Sequence, residues 1–132
     1  MKFAVLGPGA IGGFLAVLLS RSGNEVTCIG REEEVKVIAK NGIRLESKVF
    51  GNIAARPQAL TRLDCEPDVL FITVKAPYLR ESLQRVPQNL VSNSVIIPLL
   101  NGLGHAEILR GVFGPRVAVG MIGAVEVQSD TP

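Results

Sequence analysis

A chain of 132 residues is long enough for one domain with a real core and short for two, and 47% apolar against 20% charged residues excludes a disordered chain. The formal charge of +2 is too small to argue for nucleic acid or a membrane surface as a partner. Cys28 and Cys65, the only cysteines, lie far apart without C-x-x-C spacing, which indicates neither a disulfide framework nor a metal site and fits a reducing cytoplasm. The apolar opening up to Leu19 superficially mimics a secretory signal. Glycines and a proline interrupt it and no small-x-small cleavage site follows Ser20-Arg21, so that reading is rejected.

In chain order, Phe3 to Leu6 predicts a short strand that runs directly into Gly7-Pro8-Gly9-Ala10-Ile11-Gly12. A helix over Ile11 to Ser22 follows, with Ile11, Phe14, Leu15, Leu18 and Leu19 as its buried stripe and Gly23 as its stop. Glu25 to Ile29 predicts a second strand beside the first, and Glu32 to Asn41 a second helix ended by Gly42. Ile43 to Arg56, interrupted by Gly51-Asn52, predicts a hairpin or two short strands of undetermined register. Asp68 to Val74 is almost continuously apolar, as expected of an interior strand of a parallel sheet covered on both faces. Pro77 opens the next helix, with Leu79, Leu83 and Val86 on its buried side. Ser94 to Leu100 predicts a strand in which Pro98 hints at an edge or a bulge; a short helix over His105 to Arg110 and one or two strands between Arg116 and Val127 complete the chain.

The G-x-G-x-x-G run between a strand and a helix is the fingerprint of a dinucleotide site. Gly7 permits the tight turn, Gly9 lets the backbone approach a pyrophosphate, and Gly12 lets the helix pack closely on its strand. The unpaired amides of the first helical turn then face the phosphates, and Pro8, lacking an amide, only shapes the turn. The fold class that follows is α/β, a Rossmann-type, doubly wound and mostly parallel sheet, as one dinucleotide-binding domain over residues 1–132. Ligands of such sheets bind outside the carboxyl ends of the strands, and four features fall at such ends: Gly7 to Gly12, Arg31, Lys75 and Asn101-Gly102. Arg31 closes the second strand where a binder of unphosphorylated dinucleotide usually carries an acid, so the expected cofactor is NADP(H) rather than NAD. The competing readings are a solvated loop arginine at Arg31, a solvated lysine at Lys75 and an ordinary turn at Asn101. Glu32, Glu33 and Glu34 read as acids favouring a helix start, His105 as structural or exposed, and Asp64, Glu66 and Asp68 as solvated charges on the wrong edge for catalysis.

Taken together, Gly7-Pro8-Gly9-Ala10-Ile11-Gly12, Gly30-Arg31, Thr73-Val74-Lys75-Ala76 and Asn101-Gly102-Leu103-Gly104 resemble the amino-terminal part of the ketopantoate reductase (2-dehydropantoate 2-reductase) family, from Met1 to about the end of the chain. The resemblance implies that the glycine loop (Gly7, Pro8, Gly9, Ala10, Ile11, Gly12) and Arg31 hold NADPH, that Lys75 helps to hold it, and that Asn101 contacts both the cofactor and the keto acid. A further backbone contact is expected near Val125 or Glu126. It also implies hydride transfer to 2-dehydropantoate giving pantoate, with the proton donor a lysine on a second, helical domain. No catalytic residue is therefore expected in this chain, which reads as truncated and, alone, feeble or inactive. Leu100 stands where many relatives have glutamine, which weakens the substrate assignment. A related 2-keto or hydroxyacid reductase and a non-catalytic dinucleotide-sensing module remain the alternatives. A sheet truncated in this way would expose an edge, so self-association into a homo-oligomer is expected.

Overall fold

The computed structural model describes residues 1–100, 104–118 and 120. Five parallel strands form the main sheet in the order β5-β2-β1-β6-β7: β1 (Lys2–Leu6), β2 (Glu25–Ile29), β5 (Gln58–Leu60), β6 (Val69–Ile72) and β7 (Val95–Pro98). From β1 the chain runs outward one way to β2 and β5, then returns to the other side of β1 for β6 and β7. The reversal makes the crevice between the carboxyl ends of β1 and β6 the switch point of the sheet. An antiparallel hairpin, β3 (Ile43–Ser47) with β4 (Gly51–Ala55), stands apart from the sheet and pairs Ile43 with Ala55 through to Ser47 with Gly51. The helices are α1 (Ala10–Arg21), α2 (Glu32–Asn41), α3 (Leu79–Leu83) and α4 (His105–Phe113).

Two apolar clusters show that both faces of the sheet are covered. One joins Val5, Val26 and Cys28 to Ala16 of α1 and Ile38 of α2. The other joins Ala4, Leu6, Ile29, Leu70, Ile72 and Ile96 to Leu79 of α3 and to Leu109 and Phe113 of α4. Neighbouring strand residues alternate between the clusters, as the period of two demands. The expected doubly wound, parallel α/β fold is therefore present.

The buried stripe of α1 differs from the sequence expectation. Gly12, Gly13, Ala16 and Val17 are buried, whereas Ile11, Phe14, Leu15, Leu18 and Leu19 are only half-buried. Small residues let the helix backbone come down onto β1, and the larger ones flank that contact; Phe14 meets the hairpin's Phe50 edge-on, ring centres 6.2 Å apart. The helix stops as expected at Gly23, whose φ of +87° suits glycine. Gly23 N donates to Ser20 O (3.1 Å) and Asn24 N to Leu19 O (3.2 Å), the paired bonds of a Schellman motif.

The bounds of α2 are those expected, although Val37 is exposed and Ile38 alone is fully buried. Pro77 lies in a 3-10 turn (Ala76–Tyr78) that leads into α3, and α4 runs three residues beyond Arg110. Strand β5 was not expected. Among the described residues β7 is the outer strand on its side, apart from one parallel bridge from Ile96 to Val117, in line with Pro98. The strands expected beyond Val117 fall outside the described residues, Gly120 apart.

Candidate functional site

The turn after β1 is built by its neighbours. Gly7 N donates to Ile29 O (2.9 Å), and Thr73, just past β6, donates its backbone N to Leu6 O (2.9 Å) and its Oγ1 to Gly7 O (2.6 Å). Gly7 takes a φ of +95°, and a Cβ there would meet Val74 Cγ1 at 2.5 Å and Val74 N at 2.9 Å. At Gly12 a Cβ would run into the Gly7 carbonyl oxygen and lie 2.6 Å from Thr73 Oγ1. Gly9 is different, because among the described residues a Cβ there would have nothing within 4 Å beyond its chain neighbours. The protein requires glycine at 7 and 12 for its own packing, while the space over Gly9 is open.

The two helix starts on this edge contrast. α1 begins from Gly9, with no side-chain cap and no acid in its first turn. Gly13 N bonds Gly9 O (2.8 Å), so the amides of Ala10, Ile11 and Gly12 precede the first intrahelical bond. An uncapped helix start of this kind, positive in its dipole, suits an anion. By contrast, α2 satisfies itself: Glu34 Oε1 accepts from Arg31 N (3.1 Å) and from Arg31 Nε (3.0 Å), and Glu32, Glu33 and Glu34 all sit in its first turn. The helix-start reading of these acids is correct.

A cleft of about 920 Å³ joins these parts. Gly7, Pro8, Gly9, Ala10 and Ile11 line it with Arg31 and Lys75, so seven of the nine site residues named from the sequence share one cavity. Gly12 lies beneath the turn, and Asn101 is outside the described residues, as are Val125 and Glu126. The cleft also takes in Glu34, Thr73, Val74 and Tyr78, which the sequence reading did not assign to it. Thr73 and Val74 belong to the Thr73-Val74-Lys75-Ala76 run named above but fell within the expected strand; Glu34 and Tyr78 carry no signal that points to the cleft. His105 is half-buried at the start of α4 and is not among the described cleft residues. Asp68, at the opposite edge, accepts a 2.7 Å bond from Lys2 N, so its role is to tie down the start of β1. Among the described residues no cluster of His, Cys, Asp or Glu could hold a metal ion, and no helix is long and apolar enough to cross a membrane.

Electrostatics within the cleft centre on Arg31 and Glu34. The Glu34 hydrogen bond and charge raise the arginine above its ordinary pKa, although its side chain is 63% exposed against 17% for Glu34. Below them on β2, burial, and secondly the Glu34 charge, push the Cys28 thiol from 9.0 up to about 12. Cys28 is thus inert packing rather than a nucleophile. In the native chain a thiol reagent at pH 8 is expected to modify exposed Cys65 and spare Cys28 until unfolding. Since the unfolded chain loses the Cys28 proton first, stability falls as pH rises between about 9 and 12, by up to about 4 kcal/mol. Urea titrations across that range should show the slope, and Cys28→Val should flatten it.

The family model described as "Ketopantoate reductase PanE/ApbA" matches residues 3–132. The oxidoreductase YkpB of Bacillus subtilis is 33% identical over 98% of this chain and 43% of its own length, and a 2-dehydropantoate 2-reductase of Pyrococcus horikoshii is 32% identical over 86% and 37%. The chain thus spans less than half the length of these curated relatives. Among solved structures, a PanE/ApbA family ketopantoate reductase from Ralstonia eutropha superposes with a TM-score of 0.84 at 26% identity, covering all of this chain and 44% of that one. A D-mandelate dehydrogenase solved with NADH and anilino(oxo)acetate gives 0.79 at 30% identity, covering 92% and 40%. A matched span of nearly every residue, together with the shared fold, means that the chain belongs to the ketopantoate reductase PanE/ApbA family.

Proposed function

We propose that this chain is the NADPH-binding part of a 2-dehydropantoate 2-reductase of the cytoplasm, acting in pantothenate biosynthesis. The observation that carries the reading is the uncapped start of α1 beside the open space over Gly9, in one cleft with Arg31 and Lys75. A dinucleotide fits these residues: the amides of Ala10, Ile11 and Gly12 suit a pyrophosphate, and the Arg31 guanidinium suits a 2′-phosphate. Lys75 adds a second positive charge on the β6 side of the cleft. NADPH, when bound, supplies the hydride for a ketone carbon. The chain's part is to orient the dinucleotide and to keep its reactive end fixed against the keto acid, which Asn101 is proposed to contact. The proton donor is proposed to belong to a part of the enzyme outside these residues, so that the chain alone turns over feebly or not at all.

The substrate alternative, a related 2-keto or hydroxyacid reductase, is favoured by the likeness to D-mandelate dehydrogenase and by Leu100 beside Asn101. Comparing NADPH oxidation driven by 2-dehydropantoate and by aryl 2-keto acids separates the two.

The test of the cofactor site is a titration of wild type and Arg31→Ala with NADPH and NADH. NADPH is expected to bind the wild type more tightly, and the substitution to weaken NADPH roughly tenfold to a hundredfold while leaving NADH nearly unchanged, the loss of a charge-assisted contact. Equal affinities untouched by the substitution would remove the phosphate role of Arg31.

A further inference from the structure

The arginine that favours a 2′-phosphate is not a free guanidinium. One oxygen of Glu34 takes both its backbone N, at 3.1 Å, and its Nε, at 3.0 Å. A guanidinium offers a phosphate either the side-on fork of Nε with one Nη or the end-on pair of Nη groups. With Nε committed, the side-on fork is closed, and a phosphate must take the end-on pair or displace the carboxylate. The carboxylate itself stands at the carboxyl end of β2, because a Cβ on Gly30 would lie 3.2 Å from Glu34 Oε1, and it lines the same cleft as the glycine turn. An acid at the end of this strand is what an unphosphorylated ribose uses as its hydrogen-bond acceptor. The same charge repels a dianionic phosphate and accepts a hydrogen bond from a hydroxyl.

We infer that Glu34 is a specificity-determining residue of the cofactor cleft, which lowers the preference for a 2′-phosphorylated over an unphosphorylated dinucleotide by occupying Arg31 and keeping a carboxylate at the end of β2. The cleft therefore accepts both forms, with Arg31 and Glu34 pulling in opposite directions. This rests on the dinucleotide reading above and refines it: the preference set by Arg31 is held below what an unopposed arginine would give.

Glu34→Gln is the informative substitution, since glutamine at this position still accepts the backbone N–H of Arg31 and so keeps the helix start intact while removing the charge. Equilibrium titrations with NADPH and NADH, at low salt and at 0.5 M salt, give the affinity ratio for each variant. In Glu34→Gln the ratio of NADPH to NADH affinity is expected to rise threefold to tenfold, mostly through tighter NADPH, with a smaller rise at high salt where charges are screened. In an Arg31→Ala background the same substitution should still raise the ratio through the lost repulsion, but by less than with Arg31 present, because no guanidinium is left to release. A purely structural role for Glu34 would weaken both nucleotides together and leave their ratio fixed. A ratio that rises less than threefold, stays constant or falls overturns the role of Glu34 while leaving the dinucleotide site standing. Failure of the wild type to bind either nucleotide overturns the dinucleotide reading, and this inference with it.

Discussion

Gly9→Ala should leave the thermal midpoint within a few degrees of wild type and weaken NADPH about a hundredfold. Among the described residues, chain neighbours apart, no atom lies within 4 Å of the added methyl, and Gly9 has a φ of −79°, outside the left-handed region that favours glycine. Neither a crowded neighbour nor a positive φ thus calls for glycine here. The methyl instead takes up open space at the residue from which α1 starts, next to the amides of Ala10, Ile11 and Gly12 that are proposed to hold the pyrophosphate. Keeping a pyrophosphate from two such charge-assisted bonds, each worth roughly 1.5 kcal/mol or more, accounts for the factor. Paired measurements of thermal unfolding and NADPH titration check it. A variant that binds as well as wild type would mean that the turn is only a turn.

Gly12→Ala should do the reverse, lowering stability by about 3 kcal/mol or more and the midpoint by roughly 10–15 °C. Its methyl would press on the Gly7 carbonyl oxygen, a backbone atom already fixed by the 2.6 Å bond from Thr73 Oγ1, with Val5 Cγ1 at 3.0 Å on the other side. None of these is the free end of a flexible side chain, so relief requires α1 to lift off β1. That movement would also open the apolar contact at Ala16 and Val17, both fully buried. Gly12→Val should lose most of the modest stability a domain of this size has. Denaturant curves of the two variants, measured beside Gly9→Ala, separate a glycine kept for packing from one kept for a ligand.

What could be read from the sequence follows from how local its signals are. The turn after β1, the edges of α2 and the burial of β6 are written in consecutive residues, so they were legible. The face that α1 buries was not, because hydrophobicity marks Phe14 and Leu18 more strongly than Gly12, Gly13 and Ala16, whereas close packing on a sheet selects for small size. Strand β5 is three residues, none of them fully buried, and its partner β2 lies about thirty positions earlier; parallel pairing leaves no local trace. At the site, the glycines and Arg31 could be found by spacing, and the role of Glu34 as a helix-start acid was legible too. Its grip on the Arg31 side chain was not, since spacing alone cannot tell an acid that merely favours a dipole from one that closes a hydrogen-bonded ring.

The first strand lies in the middle of the sheet, with β2 on one side and β6 on the other. During synthesis, Phe3 must therefore wait for Val69, its partner on β6, to leave the ribosome. At ordinary elongation speeds that delay is on the order of several seconds. Throughout it, the flank of the nascent β1 opposite β2 has no partner strand, and the glycine turn lacks the Thr73 bonds that shape it. A nascent chain arrested before Thr73 is emitted should consequently be protease-sensitive at its amino terminus, and the glycine turn, though encoded first, should be among the last parts to set.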